Sequence, residues 1–370
     1  MKDILTRYKV TLTARGPVFV GSGTEINKKE YIILPSKKVI IMDMAKLYGL
    51  AQRQGKTKDF EVYMLSPQGS LEGWLKKEEL YEAAQESCVR YALDMGDTQL
   101  TRGRRTQLMA CMKDVYGKPY IPGSTLKGML RGILATARLL QDERLRGRMR
   151  NNLQEHLGDR AKRTHYLSQT NRRIEQELFR TLKREHTKWE DAVNDELSGL
   201  IVSDSEPLEP ERLVLAQKVE RRVDGEERTL NLLRESLRPG TEICFHLTID
   251  SSRCHETEKS ILAAIEIFDE AYNKNFLQVF SGMGRLRPWQ VFVGGGSGFV
   301  GKTLVYPLLG KQAGLDATVQ IFDQTGVPFS HKHKEDKRMG ASPHILKCSW
   351  YAGRTLQMGL CDFAMERQEL

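Results

Sequence analysis

Apolar and polar residues alternate at the start of the chain. In "YKVTLTARGPVFVGSG" the apolar positions fall on every second residue, which predicts a strand with one buried face that ends in a glycine turn at Gly21, Ser22 and Gly23. "EYIILPSKKVIIMD" reads as a hairpin folded at Pro35 and Ser36, and Asp43 then caps a short helix over "MAKLYGLAQ". Signals from 56 to 118 are mixed, with short helices and loops. In "YGKPYIPGSTLKGMLRGILATARLL" the turn residues Pro119, Pro122 and Gly123 precede Ser124 and Thr125, either of which suits a helix cap. Leu126, Met129, Leu130, Ile133, Leu134 and Ala137 follow at helical spacing and predict an amphipathic helix.

Residues 138–191 change character. They hold 14 Lys and Arg against 9 Asp and Glu, with a polar helical pattern, and read as an inserted helical arm. Strands return from 197 in "LSGLIVSDSEPLEPERLVLAQKVERR" and in "TEICFHLTID", which follows Pro239-Gly240. "TEKSILAAIEIFDEAYNKNFLQVF" has helical spacing. "RPWQVFVGGGSG" is a strand that runs into glycines. "HKHKEDKRMG" reads as a mobile basic loop, and a last pair of strands closes the chain. "VFVGSG" at 18–23 is echoed by "VFVGGGSG" at 291–298, glycines after a short apolar strand in both cases. Strands and helices alternate without the regular βαβ rhythm of a doubly wound sheet. The expected class is α+β with antiparallel sheets, divided at 1–137, 138–195 and 196–370.

At 370 residues the chain suits two domains of ordinary size. Its formal net charge of +9 and pI near 9.1 bias it toward polyanions, nucleic acid first. The first residues, "MKDILTRYKV", are charged, and no apolar run approaches membrane-spanning length, so a cytoplasmic protein without a membrane role is expected. Six cysteines lack any C-x-x-C pair, which argues against a disulfide framework or a zinc site and for reduced, buried thiols. No cofactor is expected.

One motif points elsewhere. "GGGSGFVGKT", read from Gly296, fits the P-loop pattern, with Lys302 and Thr303 as the residues for phosphate and magnesium. A P-loop also needs a helix directly after the loop, and Pro307 stands four residues beyond Thr303. A later strand ending in Asp is needed too, and only "TVQIFD", ending at Asp323, offers itself. The same glycines with Lys302, Arg285 and Arg287 suit the backbone phosphates of a nucleic acid as well as a triphosphate, because glycine allows positive φ and close approach.

"GPVFVGSG", "IPGSTLKGMLR" at 121–131 and "GGGSGFVGKT" together resemble the RAMP superfamily of CRISPR-associated proteins. "GLIVSDSEPL" and "LRPGTEICFHLTID" are similar to segments of that family as well. The order of the pieces is most similar to the RAMP subunit that caps type III-A (Csm) effector complexes. The resemblance implies one or two RRM-like, ferredoxin-like domains and no catalytic activity of its own. It implies contact with the 3′ region of single-stranded crRNA and with other effector subunits, chiefly the backbone RAMP subunit, and support of crRNA maturation through host ribonucleases. On this reading the RNA-binding residues are Gly21, Ser22, Gly23, Ser124, Thr125, Lys127, Arg131, Arg285, Arg287, Gly296, Gly298 and Lys302. Ser124, Thr125, Lys127 and Arg131 form a phosphate clamp at a helix N-terminus.

Two enzyme readings compete. Some relatives in the superfamily cut RNA with a histidine, for which His331 and His333 are the candidates. The other is the P-loop hydrolase. The acid Asp204 in "VSDSE" reads as an Asx-turn residue, and Cys254-His255 lacks an orienting acid.

Overall fold

The computed structural model describes residues 4–67, 69–100, 106–158, 166–328, 331 and 333–369. Strand β1 (Leu5–Ala14) buries Tyr8, Val10, Leu12 and Ala14 on one face, as its alternation requires. After it come β2 (Gly21–Ile26) and the hairpin β3 (Tyr31–Ile33) and β4 (Lys38–Met42). Helix α1 (Met44–Arg53) starts at Asp43, whose carboxylate accepts the N–H groups of Ala45 and Lys46, both at 3.1 Å. Next are α2 (Thr57–Leu65), α3 (Leu71–Lys77), α4 (Tyr81–Ser87), β5 (Val89–Asp94) and β6 (Gln107–Cys111). Helices α5 (Gly123–Gln141), α6 (Glu143–Leu157) and α7 (Ser168–Phe179) follow. The remaining elements are β7 (Leu200–Val202), β8 (Leu213–Arg222), β9 (Glu227–Leu237), β10 (Glu242–Asp250), α8 (Glu258–Asn275), β11 (Gln290–Phe292), α9 (Val305–Thr325), α10 (Asp336–Met339), β12 (Ile345–Tyr351), β13 (Arg354–Gln357) and β14 (Leu360–Gln368).

Two sheets result. The smaller is antiparallel, five strands in the order β11-β14-β1-β10-β7, with α5 and α8 packed together against it. The larger has nine strands. Its path is β2-β6-β9-β8-β5-β4-β3, with β12 added to β8 and β13 to β12. Most of its contacts are antiparallel, but β6 runs parallel to β9 and β5 to β8. The first strand of the chain thus lies between β10 and the last, so elements from both ends share one sheet.

One continuous core joins the two sheets, and a smaller one lies under α1–α4 against β3 and β4, built around Phe60, Trp74 and Leu75. The charged segment expected to be an arm packs onto the main core. Met149 and Leu153 of α6 and Ile174, Leu178 and Phe179 of α7 are buried there. The apolar residues are sparse in that sequence but recur every three or four positions, which is enough to seat a helix. Five of the six cysteines are buried free thiols. Burial pushes the Cys254 thiol up to about 11. No helix among the described residues is long and apolar enough to cross a membrane.

Candidate nucleic-acid interface

The two glycine segments that echo each other in sequence touch in the fold. The N–H of Gly295 donates to the carbonyl of Phe19 at 2.6 Å. Gly294 has φ +77°, and a Cβ there would lie 2.2 Å from that same carbonyl oxygen, so only glycine fits. The Phe19 ring supports Gly21 from the other side and carries the Arg234 guanidinium at 5.6 Å from its centroid. Gly21, Ser22 and Gly23 are exposed. They are not the hairpin turn the sequence suggests. They form the start of edge strand β2, where pairing with β6 slips between Gly21 and Glu25, a bulge that glycine backbone tolerates. The Ser22 hydroxyl donates to Ala110 O and accepts the Thr24 N–H, both at 3.3 Å.

The P-loop order of strand, glycines and helix is present without its geometry. β11 is a three-residue edge strand antiparallel to β14. Lys302 folds back onto its own loop, donating to Gly294 O at 2.6 Å, and burial lowers its pKa. Pro307 does not bar a helix, contrary to expectation. It stands in the first turn of α9, where a missing N–H leaves no bond unmade. The helix instead breaks at Gly310, with φ +73° and ψ −172°. Asp323, sought at a strand end, lies inside α9.

At the start of α5, Pro122 occupies the cap position and neither Ser124 nor Thr125 caps the helix. Asp204 does so from the segment after β7, accepting the Gly123 N–H at 2.8 Å. The approach is tight, since a Cβ on Gly123 would lie 2.3 Å from Ser203 O. Asp204 is therefore a helix-capping acid across 81 residues of chain and not a local turn residue. Lys127 is half-buried with no hydrogen-bond or ion-pair partner among the described residues, and burial lowers its pKa. Arg131, expected one turn on as part of a phosphate clamp, is held by groups of the protein. Its Nε donates to Glu175 at 2.7 Å, its Nη2 to Asp195 at 2.8 Å, and its plane rests 4.3 Å from the Phe179 ring centroid. These contacts lock α5 to α7.

Arg285 and Arg287 are exposed on a loop pinned at Leu286, whose N–H and carbonyl both bond the buried Asn273 side chain, at 2.8 and 3.0 Å. The next residues lean on Asp269 of α8, which is 3% exposed. Its Oδ2 accepts the Gln290 N–H at 3.2 Å while Oδ1 has no partner among the described residues. Burial pushes this carboxyl up to about 8. A folded-state pKa above the unfolded value makes stability greatest at low pH and lost as pH rises toward 8. Between pH 5 and 7 the protein should lose about 2 to 3 kcal/mol from this group, at about 1.4 kcal/mol per unit. Denaturant melts at the two pH values check this, and Asp269→Asn should flatten the difference.

These residues do not converge on one point. Arg287 precedes β11 at one edge of the five-stranded sheet, and α5 starts beside β7 at the other. Four strand spacings of about 4.8 Å put some 19 Å between those edges, the scale of several nucleotides rather than one. The glycine cluster lies at the end of β11 opposite Arg287.

A family model described as the RAMP superfamily matches residues 11–286. The chain belongs to the RAMP superfamily. It is similar to proteins named CRISPR system Cms protein Csm5, at 29% identity over 401 aligned residues to that of Mycobacterium tuberculosis, with all of both chains covered. To that of Streptococcus thermophilus it is 24% identical, with 82% of each chain covered. In structure, 98% of it superposes on the whole of a chain from a cryo-EM structure of a Csm-crRNA-target RNA ternary complex in a type III-A CRISPR-Cas system, with TM-score 0.64 at 15% identity. The crystal structure of T. onnurineus Csm5 matches over 95% of this chain and 99% of its own, with TM-score 0.58 at 15% identity. The α+β RAMP fold expected from sequence is the fold observed.

Three cations of this RAMP chain escaped the sequence reading. Lys218 on β8, Arg234 on β9 and Lys347 on β12 gather around one cavity with the glycine loop. They sit in no motif, and only strand pairing joins them. In the "HKHKEDKRMG" segment, residues 333–339 form short helical turns instead of the mobile loop expected. Asp336 is fully buried and accepts bonds from His333 Nδ1 at 2.9 Å, from Ser342 Oγ at 2.6 Å and from His344. His333, Asp336 and His344 have the donor types of a metal site, but the carboxylate already takes the protons of both rings. The aromatics Tyr8, Phe19 and Phe292 are core residues, and Tyr31 is half-buried. Trp289 is the exception at 44% exposure.

Proposed function

We propose that the protein is a non-catalytic RNA-binding and assembly subunit of a type III-A CRISPR effector complex. It contacts the 3′ region of crRNA, meets the backbone RAMP subunit and supports maturation of the crRNA 3′ end through host ribonucleases. The observation that carries this reading is the junction of the two glycine segments at Phe19, which presents exposed backbone at Gly21–Gly23 beside the loop of Gly296 and Gly298. The likeness to Csm5 proteins along the whole chain supports the same reading. So does the engagement of Lys302 with its own loop, where its Nζ donates to Gly294 O at 2.6 Å.

The RNA path runs over Gly21, Ser22, Gly23, Gly296 and Gly298, with Arg285 and Arg287 on one side and Ser124, Thr125 and Lys127 on the other. Arg131 holds the scaffold. Contacts of this kind reach phosphates and not base edges, so binding is independent of sequence and sensitive to salt. A guide whose spacer varies requires that.

Arg285→Ala with Arg287→Ala should weaken binding of a single-stranded RNA severalfold whatever its sequence. It should also lower the slope of log affinity against log salt by about 1.4, at about 0.7 for each phosphate contact. Fluorescence anisotropy at several salt concentrations measures both. The decisive test is a low-salt pull-down of the tagged protein from its host with sequencing of bound RNA. Repeat-derived handle plus spacer, arriving with other complex subunits, is the expected result. Retained ATP without RNA, or RNA cleavage that His331→Ala stops, would overturn the reading.

A further inference from the structure

Beneath the glycine loop, the large sheet carries charged side chains that the RNA path just described does not use, although the two share Gly296 and Gly298. Lys218, Arg234, Lys347 and His331 line a cavity of about 320 Å³ with Gly296 and Gly298. The register brings them together. Lys218 and Glu220 stand two residues apart on β8 and so share a face. Lys347 pairs with Glu220, and Arg234 with Ala216. Glu220 holds Lys218 Nζ at 2.8 Å and Lys347 Nζ at 3.2 Å.

Three cations thus face one carboxylate, an excess of two positive charges. They are not free to spread into water. The side chains of Lys218 and Lys347 are only 14% and 24% exposed. Apart from the Phe19 ring, the Arg234 side chain has no hydrogen-bond or ion-pair partner among the described residues, and its Nη1 is wholly buried. A guanidinium left in this state is costly unless an anion completes it. Gly296 lies directly over the guanidinium, 3.3 Å from Nη1 at the Cβ position, and in the same lining Gly298 has no described residue within 4 Å of where a Cβ would be. A fork of N–H donors with two lysines matches the several oxygens of one phosphate.

We propose that this cavity binds a phosphate monoester, and that in the RNA-bound protein it holds a terminal phosphate of the RNA. A monoester carries about 1.5 to 2 negative charges and balances the excess of two, whereas an internal diester carries one charge and must thread the chain in and out. The assignment to an RNA end rests on the proposed function. The affinity for a monoester does not.

The test uses the full-length protein and one RNA in three forms, with hydroxyl ends, a 5′-phosphate or a 3′-phosphate. Nucleoside 5′- and 3′-monophosphates are titrated separately by 31P NMR. One phosphorylated RNA should bind about tenfold tighter than the hydroxyl form, about 1.4 kcal/mol. Lys347→Gln should abolish that preference and leave the affinity for hydroxyl RNA within about twofold, which also shows that the variant folds, and Arg234→Gln should abolish the preference as well. Arg285→Ala with Arg287→Ala should weaken all three RNAs alike. A nucleotide signal lost in Lys347→Gln, without end preference, supports the monoester site but overturns the RNA end as its source. Equal binding of all three RNAs with no nucleotide signal overturns the proposal. If no RNA binds, the proposed function fails, and the nucleotide titration still decides the cavity.

Discussion

Glu235→Ala should destabilise the protein by about 3 to 5 kcal/mol, the range for breaking a buried ion pair from one side. Glu235 is fully buried on β9. Its Oε1 accepts the Tyr91 hydroxyl of β5 at 2.6 Å, its Oε2 accepts the Cys111 N–H of β6 at 2.9 Å, and Lys113 closes the ion pair. The Lys113 ammonium, 12% exposed, also reaches the Tyr91 oxygen at 3.2 Å and sits 4.8 Å from the ring centroid. Burial and the Glu235 charge push the Tyr91 hydroxyl far up, so it stays a donor. Removing the carboxylate leaves an ammonium, a hydroxyl and an amide without their acceptor. Lys113→Met should be comparably harmful for the opposite reason, an uncompensated buried carboxylate. The double variant Glu235→Leu with Lys113→Met should recover the part of the loss that comes from an unpaired buried charge, and not the part that comes from the Tyr91 hydroxyl and the Cys111 N–H, which still lack their acceptor. Urea denaturation of the wild type, Glu235→Leu, Lys113→Met and the double variant measures the coupling. Additive losses would mean that the two charges do not stabilise each other. The consequence reaches the site, since Arg234 is the next residue on β9 and stacks on Phe19 from the other face of the sheet.

What could be read from sequence was whatever depends on neighbours along the chain. The alternation of β1, the hairpin of β3 and β4, the Asp43 cap and the apolar stripe of α5 all have short-range causes, and they appear where expected. The same holds for α8, which opens with a capping box between Thr257 and Ser260. Errors arose where a partner far away in sequence decides the outcome. Gly21–Gly23 looks like a turn, and becomes strand because Cys111 is there to pair with it. Ser124 looks like a cap, and is displaced by Asp204. Arg131 looks like an exposed cation, and Glu175 and Asp195 take it. Pro307 looks like a helix breaker by residue type, and is accommodated because it stands in the first turn of α9. The cationic cavity shows the limit most clearly. Lys218, Arg234 and Lys347 come from three strands, and the surroundings of each in sequence are ordinary.

The echo between the glycine segments was visible as letters, and its physical meaning is the contact at Phe19. Gly294→Ala tests that meaning. The new Cβ would overlap the Phe19 carbonyl oxygen at 2.2 Å, and φ of +77° is unfavourable for alanine. Either the loop or the segment after β1 must shift. The shift would break the 2.6 Å bond from Gly295 and move the carbonyl to which Lys302 is anchored. A loss of about 2 to 4 kcal/mol is expected from clash and strain together. Gly298→Ala is the control. Its φ is also positive, at +97°, but no described residue lies within 4 Å of its Cβ position, so strain alone applies, about 1 to 2 kcal/mol. Thermal melts should rank Gly294→Ala well below Gly298→Ala, and RNA affinity measured below both melting transitions should fall more in the former. If both variants lose the same stability and the same affinity, the contact between the two segments contributes nothing beyond glycine's freedom of φ, and the paired loops would be separate features of the surface.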